Sequence, residues 1–167
     1  MGKILIKYLL MFAFVVLVQI LLLNQIKVSG FLNPFFYVLF ILLLPISTPR
    51  YLVILLSFVL GLTIDIFSDT LGLHIAATVF MGYLRIPVIN LISGRESELS
   101  DYPSEKNNGI RWFFFYVVTL VLLHHFFLFY LEVFTFSGFF RTLIRAVSSS
   151  ILSVFIIVLS QYLIFRE

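Results

Sequence analysis

Residues 4–23 read ILIKYLLMFAFVVLVQILLL, and apolar runs of this kind recur to the end of the chain. A helix rises about 1.5 Å per residue, so about 20 such residues cross the roughly 30 Å hydrocarbon core of a bilayer. Composition agrees with this reading. The chain is 62% apolar and 11% charged and carries 21 Phe among its 167 residues, against about 45–50% apolar and about 25% charged in average soluble domains. A soluble fold of this size has too little polar surface to accommodate that load. The expected class is an all-α integral membrane protein with one domain over residues 1–167.

Six spans are expected, at about 4–23, 31–48, 51–67, 71–92, 112–131 and 139–165, giving a compact bundle of six transmembrane helices. The first is followed by Asn24, Gln25, Ile26 and Lys27 rather than a small-x-small cleavage site, so it reads as an uncleaved span. The second and third are short, reaching roughly 25–27 Å at helical rise, and Pro45, Pro49 and Arg50 separate them. Prolines interrupt helix and push the preceding residue out of helical angles. The pair is therefore either a tight helical hairpin or partly re-entrant. Pro87 falls in the last turns of the fourth span. The one polar stretch, SGRESELSDYPSEKNNG at 93–109, lies in a loop of about 93–111 and reads as a solvated linker, contact with cytoplasmic partners being the alternative.

Basic residues set the orientation. With six crossings and a cytoplasmic N-terminus, Lys3, Lys7, Arg50, Arg85, Arg95, Lys106, Arg111 and Arg166 fall inside, and Lys27 and Arg141 outside. That agrees with the positive-inside rule, and a single crossing over 31–67 inverts it. Both termini are then cytoplasmic, and the turn carrying Asp65, Asp69, Gly72 and His74 lies at the outer boundary.

An Asp in an apolar helix costs roughly 2.5–3.5 kcal/mol on insertion scales, so Asp65 is a site candidate by default. Ser57, Gly61, Asp65 and Ser68 share one face of the third helix. Small residues there permit close helix approach and polar ones bond across it, so the face is either a packing seam with Asp65 as a cap or a partner contact. On the fourth helix His74, Thr78 and Arg85 share a face with Gly82 beside them. Gly72 suits a tight turn, and Asp69 or Thr70 an N-cap. His125 and Glu132 share a face of the fifth helix, and Arg141, Arg145, Ser149 and Ser153 step along the sixth towards Ser160. The expected arrangement is a polar network of Asp65, Glu132, Arg141 and Arg145, with snorkelling of both arginines as the alternative.

Bond-making chemistry finds no motif. The absence of cysteine excludes disulfides, Cys-based zinc sites and thiol catalysis. Asp65, Asp69 and His74 offer ligand types that zinc accepts, but their spacing is unspecific and no metal or cofactor is expected. There is no H-E-x-x-H, no G-x-S-x-G and no phosphate-cradling loop. The net charge of +3 is scattered along the chain, which gives no nucleic-acid footprint. The chain is read as a non-enzyme.

The 61–84 stretch, GLTIDIFSDTLGLHIAATVFMGYL, resembles the rod shape-determining protein MreD family of bacteria. The likeness rests on Gly61, Asp65, Leu71, Gly72, Leu73, His74 and Ala76, a G-x-x-x-D turn followed by the opening of the next helix. It implies a non-catalytic component of the cell-elongation machinery in the inner membrane. Such a component binds the membrane-anchored protein MreC and acts indirectly with MreB, RodA and its transpeptidase in peptidoglycan synthesis. The family is also similar in fold to the S-components of energy-coupling-factor transporters, so the second implied function is a small-solute-binding membrane subunit.

Overall fold

The computed structural model describes residues 2–25, 32–93, 99–135 and 138–163. Seven α-helices occur among them: α1 (Gly2–Val18), α2 (Leu39–Leu42), α3 (Arg50–Ser68), α4 (Leu73–Ser93), α5 (Glu105–Asn108), α6 (Ile110–Val133) and α7 (Phe139–Leu163). Five of the helical segments are long and apolar enough to cross a membrane: the first, taken as Leu5–Leu23, and α3, α4, α6 and α7. α1 ends in a π-helical turn, Gln19–Leu23. Successive long helices pack as neighbours, α3 on α4, α4 on α6 and α6 on α7, while α1 leans on α2 and α3.

The expected second span at 31–48 is not a continuous helix. Its described residues enter without regular structure at 33–36, make the single helical turn α2 and leave through turns at 43–48. This strap runs between the long helices. Asn33 lies beside Ser149, near the middle of α7, and the Ile46 N–H donates to the Asp101 carbonyl at 2.7 Å.

The strap forms the centre of the core. Tyr37, Val38, Leu39, Ile41 and Leu42 are all 0% exposed. Non-helical backbone at membrane depth persists only where protein shields it and supplies its hydrogen bonds, and here side chains from four helical segments do so. Ser149 and Ser153 of α7 accept from the N–H groups of Asn33 (3.1 Å) and Phe35 (2.9 Å). The Gln19 amide donates to the Pro34 carbonyl at 3.1 Å and accepts from Phe36 N–H at 2.8 Å. Tyr116 of α6 donates to the Leu42 carbonyl at 3.0 Å. Arg85 of α4 donates to the Pro45 carbonyl at 3.3 Å, to the Leu44 carbonyl and to the Tyr116 hydroxyl at 2.9 Å.

Two expectations change at the end where the strap leaves. Arg85, grouped above with the inner-surface cations, is 0% exposed. It lies beyond the carboxyl end of α2, where carbonyl dipoles favour a cation. The described part of the polar stretch, 99–108, is not a solvated linker. Asp101 accepts from the Ser47 N–H (2.7 Å) and hydroxyl (3.0 Å), Pro103 is buried, and the Lys7 ammonium sits 5.3 Å from the Tyr102 ring centroid. The Ile46 and Ser47 amides need acceptors, and Asp101 supplies both. Lys27, Phe31, Arg95, Arg166 and the last residues of the sixth span lie outside the described residues.

Candidate functional site

The α3–α4 turn is built around Asp65, which is 4% exposed. Its carboxylate accepts from His74 N–H at 3.1 Å, from Ile75 N–H at 2.9 Å and from the Thr70 hydroxyl. The first amides of a helix lack internal partners and carry partial positive charge, so a carboxylate from the preceding helix caps α4. The capping group is thus Asp65 rather than Asp69 or Thr70. Asp69 is exposed and ends α3 at φ 53°, in the left-handed region. Gly72 holds φ 81°, a conformation that suits glycine. Leu71 between them is fully exposed.

Below the turn the two helices touch closely. A Cβ added at Gly61 would lie 2.5 Å from Ile75 Cα and 2.7 Å from the His74 carbonyl oxygen, and one at Gly82 would lie 3.2 Å from Ser57 Cβ. The Thr78 hydroxyl lies 2.9 Å from the Ser57 carbonyl across the seam and 2.7 Å from His74 O on its own helix, sharing its proton. Ser57, Gly61 and Asp65 therefore face α4 and are buried against it.

Behind the turn is a cluster of rings from the strap, α4 and α6. Phe35 meets His74 (5.3 Å between centroids), His125 (5.1 Å) and Phe129 (5.9 Å), and the Tyr37 hydroxyl lies 3.0 Å from His124 Nε2. His125 Nδ1 is 2.8 Å from the Val121 carbonyl, an acceptor only, so Nδ1 carries the proton. Its Nε2 then accepts from the Ser153 hydroxyl at 2.9 Å, and Ser153 in turn accepts from Phe35 N–H. One histidine thereby fixes the serine that holds the strap.

A cleft of about 400 Å³ opens at this end, lined by the end of the first helical segment, the strap, the α3–α4 turn, α6 and α7. On its wall the Arg145 Nη1 and Glu132 Oε2 atoms are 3.0 Å apart, and the Arg145 guanidinium covers the Phe129 ring at 4.3 Å. With its amide oriented to match its neighbours, Asn33 accepts from Arg145 Nη2 at 2.8 Å. Of the four groups expected in one network, Arg145 and Glu132 pair. Asp65 is committed to the α4 cap, and Arg141 is exposed with no side-chain partner among the described residues. Asn24 joins the first helical segment to the turn, donating to Ser68 Oγ at 3.1 Å and accepting from Gln19 at 2.9 Å.

Sequence reasoning did not single out Gln19, Asn24, Tyr37, Tyr116 or Asp101. For Gln19 a signal exists, since it is a lone amide deep in an apolar run, which lipid alone disfavours. Among the described residues no three His, Asp or Glu side chains converge as metal ligands. What the arrangement does chemically is orient backbone: carboxylate, amide, hydroxyl and guanidinium groups hold main chain in place. Comparison of the chain with family models, with curated proteins and with solved structures finds no match.

Proposed function

We propose that the chain is a non-catalytic scaffold of the MreD type in the bacterial cytoplasmic membrane. In this reading it binds MreC and, through it, supports lateral peptidoglycan synthesis by MreB, RodA and its transpeptidase. The strap counts as a sixth crossing, in a bundle similar to the S-components of energy-coupling-factor transporters, with both termini cytoplasmic. Exposed Lys3, Lys7, Arg50, Lys106 and Arg111 then lie on the inner side, as the positive-inside rule favours.

The observation that supports a scaffold over a solute binder is the state of the cleft. A solute site is enclosed and keeps a few convergent polar groups free for its ligand. This cleft is open, and Asn24, Ser68, Thr70 and most of Arg145 are already bound to neighbouring protein groups. The Asp65 carboxylate faces inward, so it shapes the turn, and the exposed Phe67 and Leu71 make the contact with the partner. Crosslinking in native membranes followed by identification of the captured proteins tests this. MreC is the expected capture, with Leu71→Asp reducing it while the protein stays folded. Capture of a transporter's coupling subunit and ATPases instead replaces the scaffold by the solute-binding alternative.

A further inference from the structure

We propose that the groove between α6 and α7 binds one anionic phospholipid, with an acyl chain along its floor and the phosphate at Arg111. The groove measures about 450 Å³. Its floor is the buried pair Ser150 and Val154 of α7, and its rims are the exposed Phe114 of α6 and Ile151 and Phe155 of α7. Small residues below and large ones at the edges leave the hollow. The exposed rims open it at the bundle surface, where a membrane-spanning chain meets lipid. Ser150 is the one polar residue in the lining, and its hydroxyl donates to the Ala146 carbonyl at 2.7 Å. The wall therefore presents a polar solute with nothing to replace its lost water, whereas hydrocarbon lies against it without that cost.

Dimensions select the occupant. Val147 and Val158, at the limits of the lining on α7, are separated by roughly 16 Å at helical rise, about the depth of one leaflet of a 30 Å hydrocarbon core. Over that length the volume corresponds to a cross-section of roughly 30 Å², which fits hydrocarbon chains; a helix about 10–12 Å in diameter needs more than twice as much. Charge marks the end at which the headgroup sits. Arg111, Phe114, Val118 and Leu122 follow i, i+3, i+7 and i+11 along α6, so the stripe that lines the groove continues to Arg111, one turn beyond Phe114. Arg111 is exposed and has no side-chain partner among the described residues. Among those residues no side chain caps the start of α6, so its first amides add partial positive charge beside the guanidinium. A phosphate there complements both. In the proposed orientation the site lies in the cytoplasmic leaflet, whose surface is negative.

The test takes the full chain in mild detergent with an equimolar mixture of dioleoylphosphatidylglycerol and dioleoylphosphatidylcholine, and counts retained lipids by native mass spectrometry. One phosphatidylglycerol is expected to stay bound, favoured about fivefold over phosphatidylcholine, the contribution of one basic residue near an anionic surface. Arg111→Gln is expected to abolish the preference, whereas Arg141→Gln, near the start of α7, leaves it intact. Val118→Trp is expected to fill the groove and release the lipid, with folding followed by size-exclusion chromatography. A second measurement does not depend on that variant folding. A photo-crosslinking amino acid at Ile151, in vesicles of the same mixture, is expected to favour phosphatidylglycerol adducts, and one at the exposed Leu55 of α3 to show no preference. No retained lipid, equal retention of the two, or an unchanged preference in Arg111→Gln or in folded Val118→Trp overturns the proposal. So does an Ile151 adduct with a protein in native membranes, which makes the groove a docking face for a partner helix or a second copy. The scaffold reading stands or falls separately, on the proteins captured by crosslinking.

Discussion

At the scale of single residues, the buried polar side chains act as prostheses for backbone. Arg85 replaces the hydrogen bonds that a helix would have supplied to Leu44 and Pro45, and it keeps Tyr116 aimed at Leu42. Arg85→Leu preserves apolar bulk but strands those carbonyls away from water. Thermal or denaturant unfolding in detergent is expected to show a loss of about 2–5 kcal/mol; a loss below about 0.5 kcal/mol would mean that water or a rearranged strap satisfies them. Asp65 follows the logic of a cap. Asp65→Asn keeps one acceptor oxygen and is expected to cost about 0.5–2 kcal/mol in the same assay, with Asp65→Leu costing more. Equal costs would make the negative charge, rather than the cap hydrogen bonds, the source of stability. These side chains were visible in the sequence as stripes on helices, because helical periodicity reveals which residues share a face. Periodicity does not reveal what a face meets. Asp65 therefore read as a cap with a partner contact as the alternative, and Arg85 read as a surface cation.

Among the elements, α3 and α4 form the closest pair, and two glycines separate distinct physical effects. Gly61 matters because backbone occupies the space of a side chain. Gly61→Ala is expected to force the helices apart at a cost of about 1–3 kcal/mol. Gly72 has nothing within 4 Å of an added Cβ, and only its φ of 81° resists substitution. Gly72→Ala is expected to cost about 1 kcal/mol without disturbing the seam. A double-mutant cycle across the two sites tests their independence, with additivity to within about 0.5 kcal/mol as the expected result. The long helices were legible because each is a sustained apolar run. The strap was not. FFYVLFILLL at 35–44 has the hydropathy of a spanning helix, and a short, fully buried apolar segment carries no periodicity that separates helix from extended chain. The usable signals were punctuation, Pro34 at the start and Pro45 at the end, together with aromatic residues that favour extended structure. They supported a partly re-entrant segment without specifying a crossing.

For the whole molecule, the account comes down to five long apolar helical segments packed around one buried strap. In the proposed reading the strap counts as a sixth crossing, with the cleft and the 99–108 segment on opposite sides of the membrane. Because the chain has no native cysteine, single cysteines at Lys3, Leu71, Lys106 and Phe134, all exposed in the structure, report topology without a background. The decisive measurement is their labelling by a membrane-impermeant maleimide in intact and permeabilised cells. The account predicts that Leu71→Cys and Phe134→Cys label in intact cells, whereas Lys3→Cys and Lys106→Cys label only after permeabilisation. Finding positions 3 and 106 on opposite sides of the membrane would contradict it, because the strap would then not cross.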